Sequence, residues 1–143
     1  MKTVRDVLKR KGSAVSSVGP DTTVYDALKQ MADKNIGAVV VLDGGRPIGM
    51  FTERDYARQV ILKGKNSRDT AVREIMVGHV LFVAPQQNLE ECMALMTDKR
   101  VRHLPVLEDD RMVGILSIGD IVKAVIDDKE FLIEQLATYI QRG

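Results

Sequence analysis

Two short stretches of this chain carry a hydroxyl and a carboxylate at the same spacing. Thr52 and Asp55 close Ile48-Gly-Met-Phe-Thr-Glu-Arg-Asp55, and Ser117 and Asp120 close Val113-Gly-Ile-Leu-Ser-Ile-Gly-Asp120. A Ser/Thr-x-x-Asp pattern at a helix start is first of all a capping box, whose side chains satisfy orphan backbone amides. Facing a cleft, the same groups can do more. A helix N-terminus offers N–H groups and a positive dipole end to anions such as phosphate. A hydroxyl beside it can hold a phosphate or sugar oxygen. A carboxylate one turn on can accept both hydrogen bonds of a ribose diol, the role of the acid in dinucleotide-binding folds. Gly49 and Gly114 leave room for backbone or ligand to approach.

The two stretches belong to a larger duplication. Val18-Gly-Pro-Asp-Thr-Thr-Val-Tyr-Asp-Ala-Leu28 returns 65 residues later as Val83-Ala-Pro-Gln-Gln-Asn-Leu-Glu-Glu-Cys-Met93, and no gap is needed from Val18/Val83 to Ile61/Ile126. A lead-in also repeats, Thr3-Val-Arg-Asp-Val-Leu8 as Ala71-Val-Arg-Glu-Ile-Met76, but at an offset of 68. The first copy therefore has three extra residues, within Lys9-Arg-Lys-Gly12, where the second has only Val77-Gly78. Duplication implies two related sites in one molecule.

Each copy reads as β-α-β-β-α, an α+β fold of two repeats packed about a pseudo-two-fold axis. Val15 to Val18 is a short strand, turned by Gly19-Pro20-Asp21. Val24, Ala27, Leu28 and Met31 then follow helical spacing, with Thr23 as N-cap and Asp26 as its partner. Asn88 and Glu91 play these parts in the second copy, ahead of Leu89, Cys92, Met93 and Met96. Ile36 to Leu42 and Ile48 to Phe51 form a hairpin around Asp43–Arg46, repeated by Val101 to Leu107 and Val113 to Leu116. Pro105 removes a ladder donor, which predicts an edge or a bulge there. A second helix runs from Glu53 to about Leu62, and from Ile118 to about Ile126. The expected boundaries are residues 1–66 and 67–128 for the repeats and 129–143 for a separate amphipathic tail helix, with Phe131, Leu132, Leu136, Tyr139 and Ile140 on one face.

Composition sets limits. The 143 residues are 45% hydrophobic and 29% charged, with a net charge of +1. That argues against general nucleic-acid or membrane-surface binding, which usually needs a basic excess. A single cysteine, Cys92, forms no intrachain disulfide and fits a reducing compartment. It lies on an apolar helical stripe and reads as packing. The N-terminus lacks a signal-peptide apolar run, and the longest apolar stretch, Ala38 to Leu42, is far too short to span a bilayer. The expected location is the cytoplasm. His79 and His103 are the only histidines, and no metal-ligand spacing is visible. Ser117 with His103 lacks a third member for nucleophilic catalysis, so no catalytic residue is assigned.

The residues Ile48 to Asp55, Val101-Arg-His-Leu-Pro-Val106 and Val113 to Asp120, in two copies, resemble the CBS domain (cystathionine β-synthase type) in its tandem, Bateman-module form. The resemblance covers about Thr3 to Ile126, and the chain looks like a small stand-alone bacterial CBS-pair protein. It implies binding of an adenosine-containing ligand (AMP, ADP, ATP, NAD(H) or S-adenosylmethionine) in two clefts between the repeats. Carried over, Asp55 and Asp120 hold ribose, with Thr52 and Ser117 beside them. Val15, Ser16, Val80 and Leu81 border adenine, with Ile36, Gly37 and Ala38 in one site and Val101, Arg102, His103 and Pro105 in the other. Such modules commonly dimerise, making the tail helix and second helices candidate contacts.

Cations bear on which ligand. Arg54 faces Gly119 in the repeat alignment, Arg102-His103 faces Gly37-Ala38, and Lys9 and Lys11 fall in the extra lead-in. These favour a phosphate-bearing ligand over cationic S-adenosylmethionine and make the two sites unequal. The expected function is nucleotide sensing without catalysis, acting on a regulated protein partner. The rivals are an interaction module with vestigial clefts and a small nucleotide-hydrolysing enzyme. Asp120, at an exposed helix start, is expected to be replaceable with little effect on folding.

Overall fold

The computed structural model describes residues 2–12, 15–76, 78 and 80–142; His79 and Val77 lie outside them, as do the side chains of Phe131 and Tyr139. The first repeat comprises α1 (Val4–Lys11), β1 (Ser17–Val18), α2 (Val24–Lys34), β2 (Ala38–Asp43), β3 (Arg46–Thr52) and α3 (Glu53–Tyr56), which runs on as a π-helical turn over Ala57–Ile61. The second comprises a 3₁₀ turn (Val72–Glu74), α4 (Leu89–Lys99), β4 (His103–Glu108), β5 (Arg111–Ser117) and α5 (Ile118–Arg142).

The caps form where the sequence places them. Thr23 and Asn88 accept the N3 amides of α2 and α4, those of Asp26 and Glu91. The cap residues themselves pair with the lead-ins, Thr23 with Ala71 and Asn88 with Thr3, in antiparallel bridges. The amides of Val24 and Leu89 donate to the carbonyls of Thr70 and Lys2.

These bridges exchange the lead-ins. Val4 and Val7 are buried with Leu89, Cys92, Met96, Leu104 and Leu116 of the second repeat. Val72 and Ile75 are buried with Val24, Met31, Val39 and Phe51 of the first. A repeat of this size buries too little surface alone, and each completes its core with the other's lead-in.

The strands are asymmetric in an instructive way. β2 pairs in parallel with β1 and antiparallel with β3, and Ala38 to Val41 are all buried. In the second repeat the first strand shrinks to one parallel bridge, Val83 to Val106. Val40 donates to the carbonyl of Ser16, and the residue matching Val40 is Pro105, which has no N–H. The donor loss thus thins the neighbouring strand. The bulge in β4 lies one residue on, at Val106/Leu107, and repeats that at Val41/Leu42, so Pro105 is not its cause.

Both hairpins turn through two residues of positive φ, Gly44 and Gly45 in one and Asp109 and Asp110 in the other, as a type I′ loop requires. The tail is not a separate helix. α5 is continuous from Ile118 to Arg142, because nothing between Ile126 and Glu130 breaks helical geometry. No helix among the described residues is long and apolar enough to cross a membrane.

Candidate functional site

Each hydroxyl–carboxylate pair forms a capping box. Asp55 accepts the Thr52 amide at 2.9 Å while Thr52 accepts the Asp55 amide at 3.1 Å. Asp120 and Ser117 repeat this at 2.8 and 3.1 Å. The next amides are taken as well: Glu53 N donates to Gly37 O at 3.1 Å, and Ile118 N to Arg102 O at 2.9 Å. The helix starts are therefore largely satisfied by the protein, and α3 is a single turn. Few amides at these helix starts therefore stay free for an anion. The box engages only Oδ2 of Asp55, leaving Oδ1 without a protein partner among the described residues.

Around Thr52 and Asp55 opens a cleft of about 530 Å³ between the repeats. The first repeat lines it with Gly37, Met50, Thr52, Glu53, Arg54 and Asp55, the second with Val80, Leu81, Arg100, Val101, Arg102 and His103. The first motif is thus completed by the second repeat. Gly37 and Val101–His103, expected in different sites, share this one. Apolar walls come from Met50, Val80, Leu81 and Val101. Arg54, Arg100 and Arg102 line the cleft together with the acids Glu53 and Asp55. Arg100, Met50 and Glu53 escaped the sequence reading. Arg100 carried a signal, since it ends α4 with φ 54° where the first repeat has Asn35 at φ 53°, and a bulky residue there costs about 1 kcal/mol.

The second motif meets different surroundings. Asp120 lies in a recess of about 280 Å³ with Lys2, Asp6, Val7, Arg10, Lys11, Lys123, Ala124 and Asp127. Lys11 Nζ is 2.6 Å from Asp120 Oδ2 and 2.8 Å from the Ile115 carbonyl. Burial works to raise the Asp120 carboxyl. Hydrogen bonds from Lys11 and from the Ser117 amide and hydroxyl, with the Lys11 charge, outweigh it and hold the group below its ordinary value. Asp120 is half-buried, not at an exposed helix start as expected, and is bonded to two elements, α1 and β5. The room at Gly114 is also taken: a Cβ there would stand 2.6 Å from Leu8 Cδ2.

Other expected residues lie outside these two cavities. Val15 and Ser16 are half-buried ahead of β1, with the Ser16 carbonyl bonded to Val40. Ile36 packs on the first core, Ala38 is buried in β2 and Pro105 is buried in β4. Lys9 is exposed on α1 and lines neither cavity.

His103 lines the cleft and pairs in register with Ser117. Burial, then the Lys11 charge, depress its imidazole below the ordinary value, with Arg102 adding and Asp120 opposing. Ser117 Oγ is the cap acceptor of Asp120. Among the described residues no three His, Cys, Asp or Glu side chains cluster as metal ligands. Cys92 is buried, and burial followed by the Glu91 charge pushes its thiol up to about 11.

Comparison with known proteins bears on the family and the fold. The CBS domain family model matches residues 4–61 and 72–127. A mitochondrial CBS domain-containing protein of Arabidopsis thaliana is 41% identical over 99% of this chain and 73% of its own length. A solved CBS-domain structure from Burkholderia ambifaria MC40-6 is 49% identical, covering 89% of this chain and 96% of its own, with a TM-score of 0.85. The CBS domain pair of protein MJ0100, solved with 5′-methylthioadenosine and S-adenosyl-L-methionine, covers 90% of this chain and 98% of its own at a TM-score of 0.78. At 22% identity it speaks to the fold alone. With two copies of the motif, two matched segments and a shared architecture, the chain belongs to the CBS domain family as a tandem pair.

Proposed function

We propose that this CBS pair is a regulatory sensor of adenine nucleotides, AMP, ADP, ATP or NAD(H), with no catalysis of its own. The observation that carries this reading is the composition of the open cleft. It combines a diol acceptor with a bare oxygen (Asp55), a hydroxyl (Thr52), an apolar slot (Val80, Leu81, Val101) and three arginines. A ribose diol donates to Asp55 Oδ1, adenine enters the slot, and Arg54, Arg100 and Arg102 pair with phosphate oxygens. Three guanidinium groups favour an anionic ligand over a sulfonium.

Signalling requires that ligand bind two arrangements of the repeats unequally. The cleft has walls from both repeats, so occupancy bears on their relative orientation. We place a homodimer contact on the outer face of α5, where Val122, Ile126, Ile133, Leu136 and Ile140 are exposed. An exposed apolar stripe of this length marks an interaction surface. The buried single cysteine suits a reducing compartment such as the cytoplasm. Native mass spectrometry of the purified protein tests the reading. An added mass equal to an adenine nucleotide supports it. A protein that stays unliganded and takes up none of AMP, ATP or NADH points instead to an interaction module with vestigial clefts.

A further inference from the structure

We propose that Lys11 is an internal occupant of the second site, and that α1 is a latch a ligand must displace there. Asp55 and Asp120 are equivalent by the repeat and sit in equivalent capping boxes. What differs is the cation. Lys11 Nζ reaches Asp120 Oδ2 at 2.6 Å and the Ile115 carbonyl at 2.8 Å, where no lysine or arginine forms an ion pair with Asp55 among the described residues. A ribose diol seeking Asp120 meets a carboxylate already neutralised.

The cause is the one length difference between the repeats. The second lead-in is a 3₁₀ turn of three residues ending at Glu74, whereas α1 is eight residues long. The extra residues carry the end of α1 past β5 to the second motif. Leu8 rests on Gly114, where any side chain would collide with it. Arg10 pairs with Asp127 at 2.8 Å and Lys2 with Asp128 at 3.1 Å. Two ion pairs thus tie α1 to α5, one of them through the site, and Lys2, just ahead of the α1 cap, adds a third. Displacing Lys11 loosens α1 from the helix that bears the exposed apolar face, so occupancy of this site reaches that face. Binding to a site open only part of the time is weakened by the open fraction.

The ligand half of this inference rests on the nucleotide reading; the latch itself does not. Amide hydrogen exchange of the ligand-free protein tests the latch. Lys11→Met and Asp120→Asn are each expected to speed exchange at the end of α1, about three- to tenfold for loss of one half-buried ion pair. Unchanged exchange in both variants overturns it. ATP titration in an Asp55→Asn background, with the first site weakened, tests the competition. Lys11→Met is expected to tighten the remaining site about three- to tenfold. Weaker binding overturns the proposal by making Lys11 a phosphate ligand. If neither cleft takes ATP in the unaltered protein, the nucleotide reading and the competition fail together, while exchange still decides the latch.

Discussion

Thr3 bridges Asn88, the residue that caps the first helix of the opposite repeat, just as Ala71 bridges Thr23. The exchange makes each lead-in part of the other repeat's core. Val4 and Val72 are both wholly buried. Val4→Ala and Val72→Ala are each expected to cost about 2 kcal/mol, from lost burial plus the cavity left behind. Urea denaturation reads this directly. A cost below about 0.5 kcal/mol, the range of ordinary surface changes, would mean the lead-ins are ornament rather than core.

His103 gives the fold an acid-side weakness. Burial, Lys11 and Arg102 hold its imidazole below the ordinary value of 6.5, with Asp120 opposing. As pH falls below that value the unfolded chain takes the proton first, so stability declines between about pH 7 and 5. His103→Asn is expected to flatten this part of the profile. An equal slope in the variant would remove His103 as its source.

Cys92 is expected to behave as packing. With its thiol buried and pushed up to about 11, little thiolate exists at neutral pH. A disulfide reagent should label the native protein slowly and the denatured protein at once. Rapid native labelling would show that α4 opens readily.

Local chemistry was legible in the sequence, and long-range placement was not. Thr52/Asp55 and Ser117/Asp120 announced themselves because a capping box spans four residues and depends on little else. The meeting of Gly37 with Arg102 in one cleft depends on how the repeats dock, which no spacing records. Lys11 and Asp120 are more than a hundred positions apart, and only the three-residue surplus in the lead-in hinted at their contact. Pro105 was read correctly as a lost donor. β4 is an edge strand of a two-stranded sheet, as expected, because the missing N–H faces the side where only the bridge from Val83 remains.

The cleft reading rests most heavily on Asp55. Isothermal titration with ATP, AMP and NADH, repeated on Asp55→Asn, tests it most directly. At least one of the three should bind the unaltered protein. The variant keeps a side-chain oxygen for the Thr52 amide but loses the charge that a ribose diol needs, so affinity at that cleft should fall about tenfold or more, near 1.4 kcal/mol. Far-UV dichroism should stay unchanged. Equal affinity in the variant, or no heat from any nucleotide with the unaltered protein, would contradict the assignment of the cleft.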